Sequence, residues 1–155
     1  MITRTASARY EGFGKEGKGH VSTQSGVLDD QPYGFNTRFE ERPQEGTAGG
    51  SSGGSPGTNP EELIAAAHAS CFTMALSFAL AKEGLTAGTL ETVAKVKLDK
   101  DGDGFTISRS DLSLTATVAG IDEARFAAIA ADAKANCPVS KLLKAEIGFD
   151  IQLNG

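Results

Sequence analysis

The period of hydrophobic and polar positions switches repeatedly along the chain. Residues 3–10 are β-prone with imperfect alternation, and Gly12, Gly14, Gly17 and Gly19 then punctuate the sequence. That pattern predicts a glycine-rich hairpin. Residues 34–40 alternate cleanly. Phe35, Thr37 and Phe39 share one face and Asn36, Arg38 and Glu40 the other, as in a half-buried strand. Residues 43–57 are rich in Gly, Ser and Pro and lack periodicity, which predicts a flexible loop within one domain.

A helical signal follows. Asn59 suits the N-cap, Pro60 the first helical position and Glu62 the acid of a capping box. Lys82 falls in the last turn and Gly84 supplies the stop. A helix of about 24 residues is ~36 Å long. Between residues 63 and 81 there is no formal charge, close to the ~20 residues of a membrane span. His68, Ser70, Thr73 and Ser77 interrupt the run, and charges sit at both ends. The segment therefore reads as a helix buried on nearly all sides in a protein core. One small sheet does not cover such a helix, which predicts a dimer.

Residues 93–98 and 112–118 alternate as strands, with a polar turn at 99–104 between them. The turn imitates the first half of an EF-hand loop, but Ser110 stands where a bidentate Glu is required. An amphipathic helix over 122–136 is predicted to be capped by Asp122 and broken by Pro138, with a short helix over 139–144. A closing strand over 146–153 has its apolar residues at odd positions. Strands, long helix, strands, helix and strand together make an α+β chain, read as one domain over 1–155.

Composition narrows the function. Charged residues make up 23% and hydrophobic ones 39%, ordinary for a soluble protein. A net charge of −5 without a basic stripe argues against nucleic acid as a partner, and the core-helix reading argues against a membrane. No apolar h-region opens the chain, so a reducing cytoplasm is expected. The GxGxxG match at 12–17 lacks the helix that a dinucleotide site requires.

The two cysteines are too few for a disulfide scaffold or a metal knuckle. They are a redox pair or inert core thiols. A nucleophilic cysteine must be a thiolate, and helix N-termini or cations lower its pKa. By local electrostatics Cys137, just ahead of Pro138, is better placed than Cys71 in mid-helix. Cys71 would need a cation from elsewhere. His68, one turn before Cys71, reads as a satisfied core histidine. A Cys-His hydrolase would need an acid and an oxyanion hole, and zinc would need more ligands.

Segments 21–28, 31–39 and 58–64, the run Ala66-Ala67-His68-Ala69-Ser70-Cys71-Phe72 and the tetrapeptide Cys137-Pro138-Val139-Ser140 closely resemble the OsmC/Ohr family of thiol peroxidases. They are more similar to its OsmC branch than to its Ohr branch. The resemblance implies a long central helix packed on an antiparallel β-sheet in an intertwined homodimer. It implies reduction of organic hydroperoxides to alcohols, and of hydrogen peroxide less well, in oxidative and osmotic stress defence. The route passes through a cysteine sulfenic acid and an intramolecular disulfide, without metal or other cofactor. A dithiol restores the enzyme, in Ohr members a lipoylated protein.

By position, the resemblance makes Cys71 the peroxidatic thiolate and Cys137 the resolving thiol. Arg38 becomes the cation that activates Cys71, and Glu61 its anchor. A disulfide needs Cα atoms about 4.4–6.8 Å apart, so Cys137 must pack beside the long helix. Phe35, Phe39, Phe72 and Met74 are candidate walls of an apolar substrate pocket. Glu61 and Cys71 lie ten positions apart, about 15 Å along a helix and nearly a quarter turn round it. They cannot touch on one straight helix. If one arginine serves both, two chains contribute to each site. The rival reading is a silent dimer that binds apolar ligands with both thiols as core filler. A disulfide exchanger of CxxC type is disfavoured, because Ser140 holds the second cysteine position.

Overall fold

Two three-stranded sheets carry the chain. The computed structural model describes residues 1–40 and 57–155, so the loop expected at 43–57 lies outside the described residues except for Gly57. The chain divides into two units, Met1–Pro60 and Glu61–Gly155.

In the first unit, β1 (Ala6–Glu11) and β2 (Lys18–Thr23) form the expected glycine-rich hairpin, joined by a single 3-10 turn at Gly14–Glu16. Strand β3 (Gln31–Tyr33) adds antiparallel to β2. Gly19 lies under the Tyr33 ring, where a β-carbon would collide with it. The strand expected over 34–40 is instead a helix, α1 (Phe35–Phe39). The Gly34 amide donates to Thr37 Oγ1 at 2.9 Å, and the Thr37 hydroxyl donates to the Gly34 carbonyl at 3.0 Å. Phe35 and Phe39, read as alternate strand residues, are also an i, i+4 pair, and their rings pack 4.9 Å apart. Among the described residues of this unit only Gly17 and Gly19 are buried.

The second unit is built on α2 (Pro60–Lys82). Its C-terminus closes as expected: the Leu85 amide donates back to the Leu80 carbonyl at 3.2 Å, with Gly84 at φ +85°. Strands β4 (Thr89–Asp101) and β5 (Gly104–Thr117) make a long antiparallel hairpin. In its turn region Thr106 donates to Asp101 at 2.7 Å, and Ser108 donates to Asp99. These aspartates therefore serve cross-strand hydroxyls. Helix α3 (Glu123–Asn136) is capped by Asp122, which accepts from the Arg125 amide at 2.8 Å. Then α4 (Pro138–Leu142) leads into β6 (Glu146–Asn154). Because the chain crosses over through α3 and α4, β6 pairs parallel with β5, while all other strand pairs are antiparallel.

The core lies between α2, α3 and this second sheet. Phe72, Leu76 and Leu80 from α2 meet Leu112, Leu114 and Ala116 from β5 and Phe126, Ile129, Ala130 and Ala133 from α3. Phe72 packs edge-on to Phe149 at 5.3 Å. Burial of α2 is narrower than expected. Only His68, Phe72, Leu76 and Leu80 are buried, a stripe spaced by four along one face. Met74 and Phe78 are 60% and 65% exposed. Within this single chain α2 is covered along one stripe, short of the burial on nearly all sides that the sequence predicts. By length and composition α2 could span a membrane, but that stripe packs in the core of this unit.

Candidate active site

Cys71 sits on α2 beside the buried stripe and is partly exposed, whereas Cys137 is completely buried. Cys137 ends α3 and starts α4, with Pro138 in the next helical position. That junction turns its side chain back toward α2. The Cys71 and Cys137 thiols lie close enough to act on one another's acidity.

The surroundings of the two sulfurs differ. Burial pushes the Cys71 thiol up, the neighbouring Cys137 thiol adds to the rise, and the Val139 amide opposes both. Burial also acts to raise the Cys137 thiol, but its neighbours outweigh that and hold it below the ordinary range. They are the Cys71 thiol, the Ser140 amide and hydroxyl, and the Val139 amide. Cys137 is the N-cap residue of α4 without a side-chain cap hydrogen bond. The two shifts run in opposite directions, up for Cys71 and down for Cys137.

Behind Cys137 lies a polar chain in the dry core. His68 is fully buried. Its Nδ1 is 2.7 Å from Ser110 Oγ, and its Nε2 is 2.8 Å from Ser140 Oγ. Burial pushes His68 below the usual imidazole range, so the ring is neutral. It is a satisfied core histidine, as expected.

Arg38 lies on α1 in the first unit, with its guanidinium carbon 5.4 Å from the centre of the Phe39 ring. Glu61 lies in the first turn of α2. The helix runs unbroken from there to Cys71, so the two residues are about 15 Å apart along the axis.

Comparison with known proteins identifies the family. A family described as OsmC-like protein matches residues 50–152. The peroxiredoxin OsmC of Escherichia coli strain K12 is 51% identical over 152 residues, covering 98% of this chain and 97% of its own. The chain belongs to the OsmC family. Among solved structures, the organic hydroperoxide resistance protein OhrB of Bacillus subtilis matches with a TM-score of 0.61 at 29% identity, over 98% of both chains. The organic hydroperoxide resistance protein OsmC of Legionella pneumophila matches with a TM-score of 0.63 at 25% identity, over 100% of this chain and 98% of its own.

In this OsmC-family chain two of the four apolar wall candidates lie on α2 and two on α1. Phe72 is fully buried in the core and Met74 is largely exposed, since positions two apart on a helix face different ways. Phe35 and Phe39 pack on each other in the first unit. Sequence reasoning missed Ser110 and Ser140 as the partners of His68, and the Val139 amide between the sulfurs. Only Ser140 carried a signal, its place three residues after Cys137.

Proposed function

We propose that this OsmC-family chain is a cysteine-based peroxidase that reduces organic hydroperoxides to alcohols in defence against oxidative and osmotic stress. Cys71 attacks the distal peroxide oxygen. The O–O bond breaks, the alcohol leaves, and Cys71 becomes a sulfenic acid. Cys137 then attacks that sulfur. The S–S bond forms, the S–O bond breaks, and the hydroxyl leaves as water with the Cys137 proton. A dithiol, in this reading a lipoylated protein, takes the disulfide back to two thiols.

One observation supports this order most strongly: the two thiols are neighbours, yet of the two only Cys71 is partly open to solvent. A peroxide reaches Cys71 first, whichever thiol is the more acidic. Arg38 then has to supply the cation that Cys71 lacks in its own unit, with Glu61 holding its guanidinium by a charge-assisted pair.

The reading includes a homodimer with two composite sites. The exposed face of α2 with Met74 and Phe78, and a first sheet without a buried side chain among its described residues, both call for cover. The Glu61–Cys71 separation favours contributions from two copies to each site. In this reading the substrate pocket is apolar, which suits alkyl or lipid hydroperoxides better than hydrogen peroxide. A reducing cytoplasm suits a cycle that starts from two thiols.

Reduced protein without added reductant is expected to consume about one equivalent of cumene hydroperoxide per chain, as one intramolecular disulfide requires. Hydrogen peroxide should react more slowly. No consumption would favour the silent apolar-ligand binder. For the dimer, Cys71→Ser and Glu61→Gln proteins, each inactive alone, are to be unfolded together and refolded as a mixture. Composite sites predict recovery of roughly a quarter of wild-type activity, since half the dimers then carry one intact site of two. Sites confined to one chain predict no recovery.

A further inference from the structure

Three buried polar side chains in the core need a reason to be there. Ser110, His68 and Ser140 come from β5, α2 and α4, and they join only through hydrogen bonds to the imidazole. Their exposures are 0%, 0% and 7%. An apolar trio of similar volume would fill this core without three hydroxyl and imidazole groups to satisfy. The chain ends one helical turn from a thiol, because Cys137 is the N-cap of α4 and Ser140 the third residue of that helix.

We propose that Ser110, His68 and Ser140 form a positioning chain that keeps Cys137 ready as the resolving nucleophile, a role that rests on the peroxidase reading above. A thiolate only accepts hydrogen bonds, and this fixes the direction of the chain. Ser110 donates to His68 Nδ1. His68 Nε2–H donates to the Ser140 oxygen, which leaves the Ser140 hydrogen for the Cys137 sulfur. The opposite tautomer would draw the Ser140 hydrogen to Nε2 and leave the sulfur without it. Ser110 completes the chain by donating to Nδ1, a role open to its hydroxyl. In resolution the Cys137–Cys71 bond forms, the sulfenic S–O bond breaks, and the hydroxide leaves as water with the proton that Cys137 released to solvent on ionising. The three positioning residues neither gain nor lose a proton overall.

Few other groups act on Cys137. Cys71 on α2 is its neighbour. On α3, Lys134 turns to the Phe149 ring of β6, and on α4, Lys141 is exposed. On β5, Asp111 is taken up by Arg109 and Lys97.

The test has two arms. In the Cys71→Ser protein, thiolate absorbance against pH reads Cys137 alone. Ser140→Ala is expected to lower its thiolate fraction at neutral pH about tenfold, the equivalent of one pKa unit. Ser140→Thr should restore it, and Ser110→Ala should move it the same way by less. With both cysteines present, one equivalent of cumene hydroperoxide starts a single turnover, and dimedone trapping follows the sulfenic acid on Cys71. Loss of thiolate is partly offset by the stronger nucleophilicity of a more basic sulfur, so Ser140→Ala should slow disulfide formation about threefold. Its pH–rate profile should move to higher pH.

A Ser140→Ala protein that titrates and resolves like its parent would overturn the proposal. So would failure of Ser140→Thr to restore either readout. Absence of any sulfenic acid on Cys71 would overturn the peroxidase reading instead, and the titration arm would still decide whether the chain acts on Cys137.

Discussion

Cys71→Ser is expected to abolish peroxide turnover, a loss on the order of a thousandfold or more, because no other group forms the covalent intermediate. The substitution is small, and Cys71 lies beside rather than within the buried α2 stripe, so circular dichroism should be unchanged. Cys137 does not replace it, since it is fully buried and its acidity serves a sulfur the peroxide does not reach. Cys137→Ser should behave differently. Its first turnover should proceed at Cys71, and the enzyme should then stall as a sulfenic acid open to over-oxidation.

Arg38→Met is expected to lower kcat/KM about 10²–10³-fold, the usual cost of removing one charged stabiliser from a reacting centre. Arg38→Lys should fall between the two, since it keeps the charge and loses the planar fork. The sign of the pH effect follows from Cys71. Burial raises its pKa, as does the neighbouring Cys137 thiol, and in this account Arg38 opposes both. Without Arg38 the pKa of Cys71 rises further. The reactive form is the thiolate, so the acid limb of kcat/KM moves to higher pH and activity at neutral pH falls. A pH–rate profile of Arg38→Met that kept its position would separate Arg38 from the chemistry of Cys71.

The limits of the sequence reading have physical causes. The ends of α2 were legible because Pro60 and Gly84 act through their own backbones, and Asp122 marked α3 for the same local reason. The alternation of β6 was legible, but its parallel pairing was not, since that follows from a crossover through two helices. Phe35 and Phe39 misled because a spacing of four suits both a strand face and a helix face. The capping exchange between Gly34 and Thr37 decided for helix. Ser110 and Ser140 lie 42 and 72 residues from His68 in sequence, and a serine carries no mark of a distant partner. The pairing of Cys71 with Cys137 came from resemblance to a family. Local electrostatics favours Cys137 as the more acidic thiol, and it gives no information on which one a peroxide can reach.

Which sulfur takes the peroxide oxygen is the most direct test of this account. Reduced Cys137→Ser and Cys71→Ser proteins are each to be treated with one equivalent of cumene hydroperoxide in the presence of dimedone, then mapped by mass spectrometry. The account predicts a dimedone adduct on Cys71 in the first protein and none on Cys137 in the second, with a Cys71–Cys137 disulfide in the unsubstituted chain. A dimedone adduct on Cys137, with turnover retained in Cys71→Ser, would contradict it.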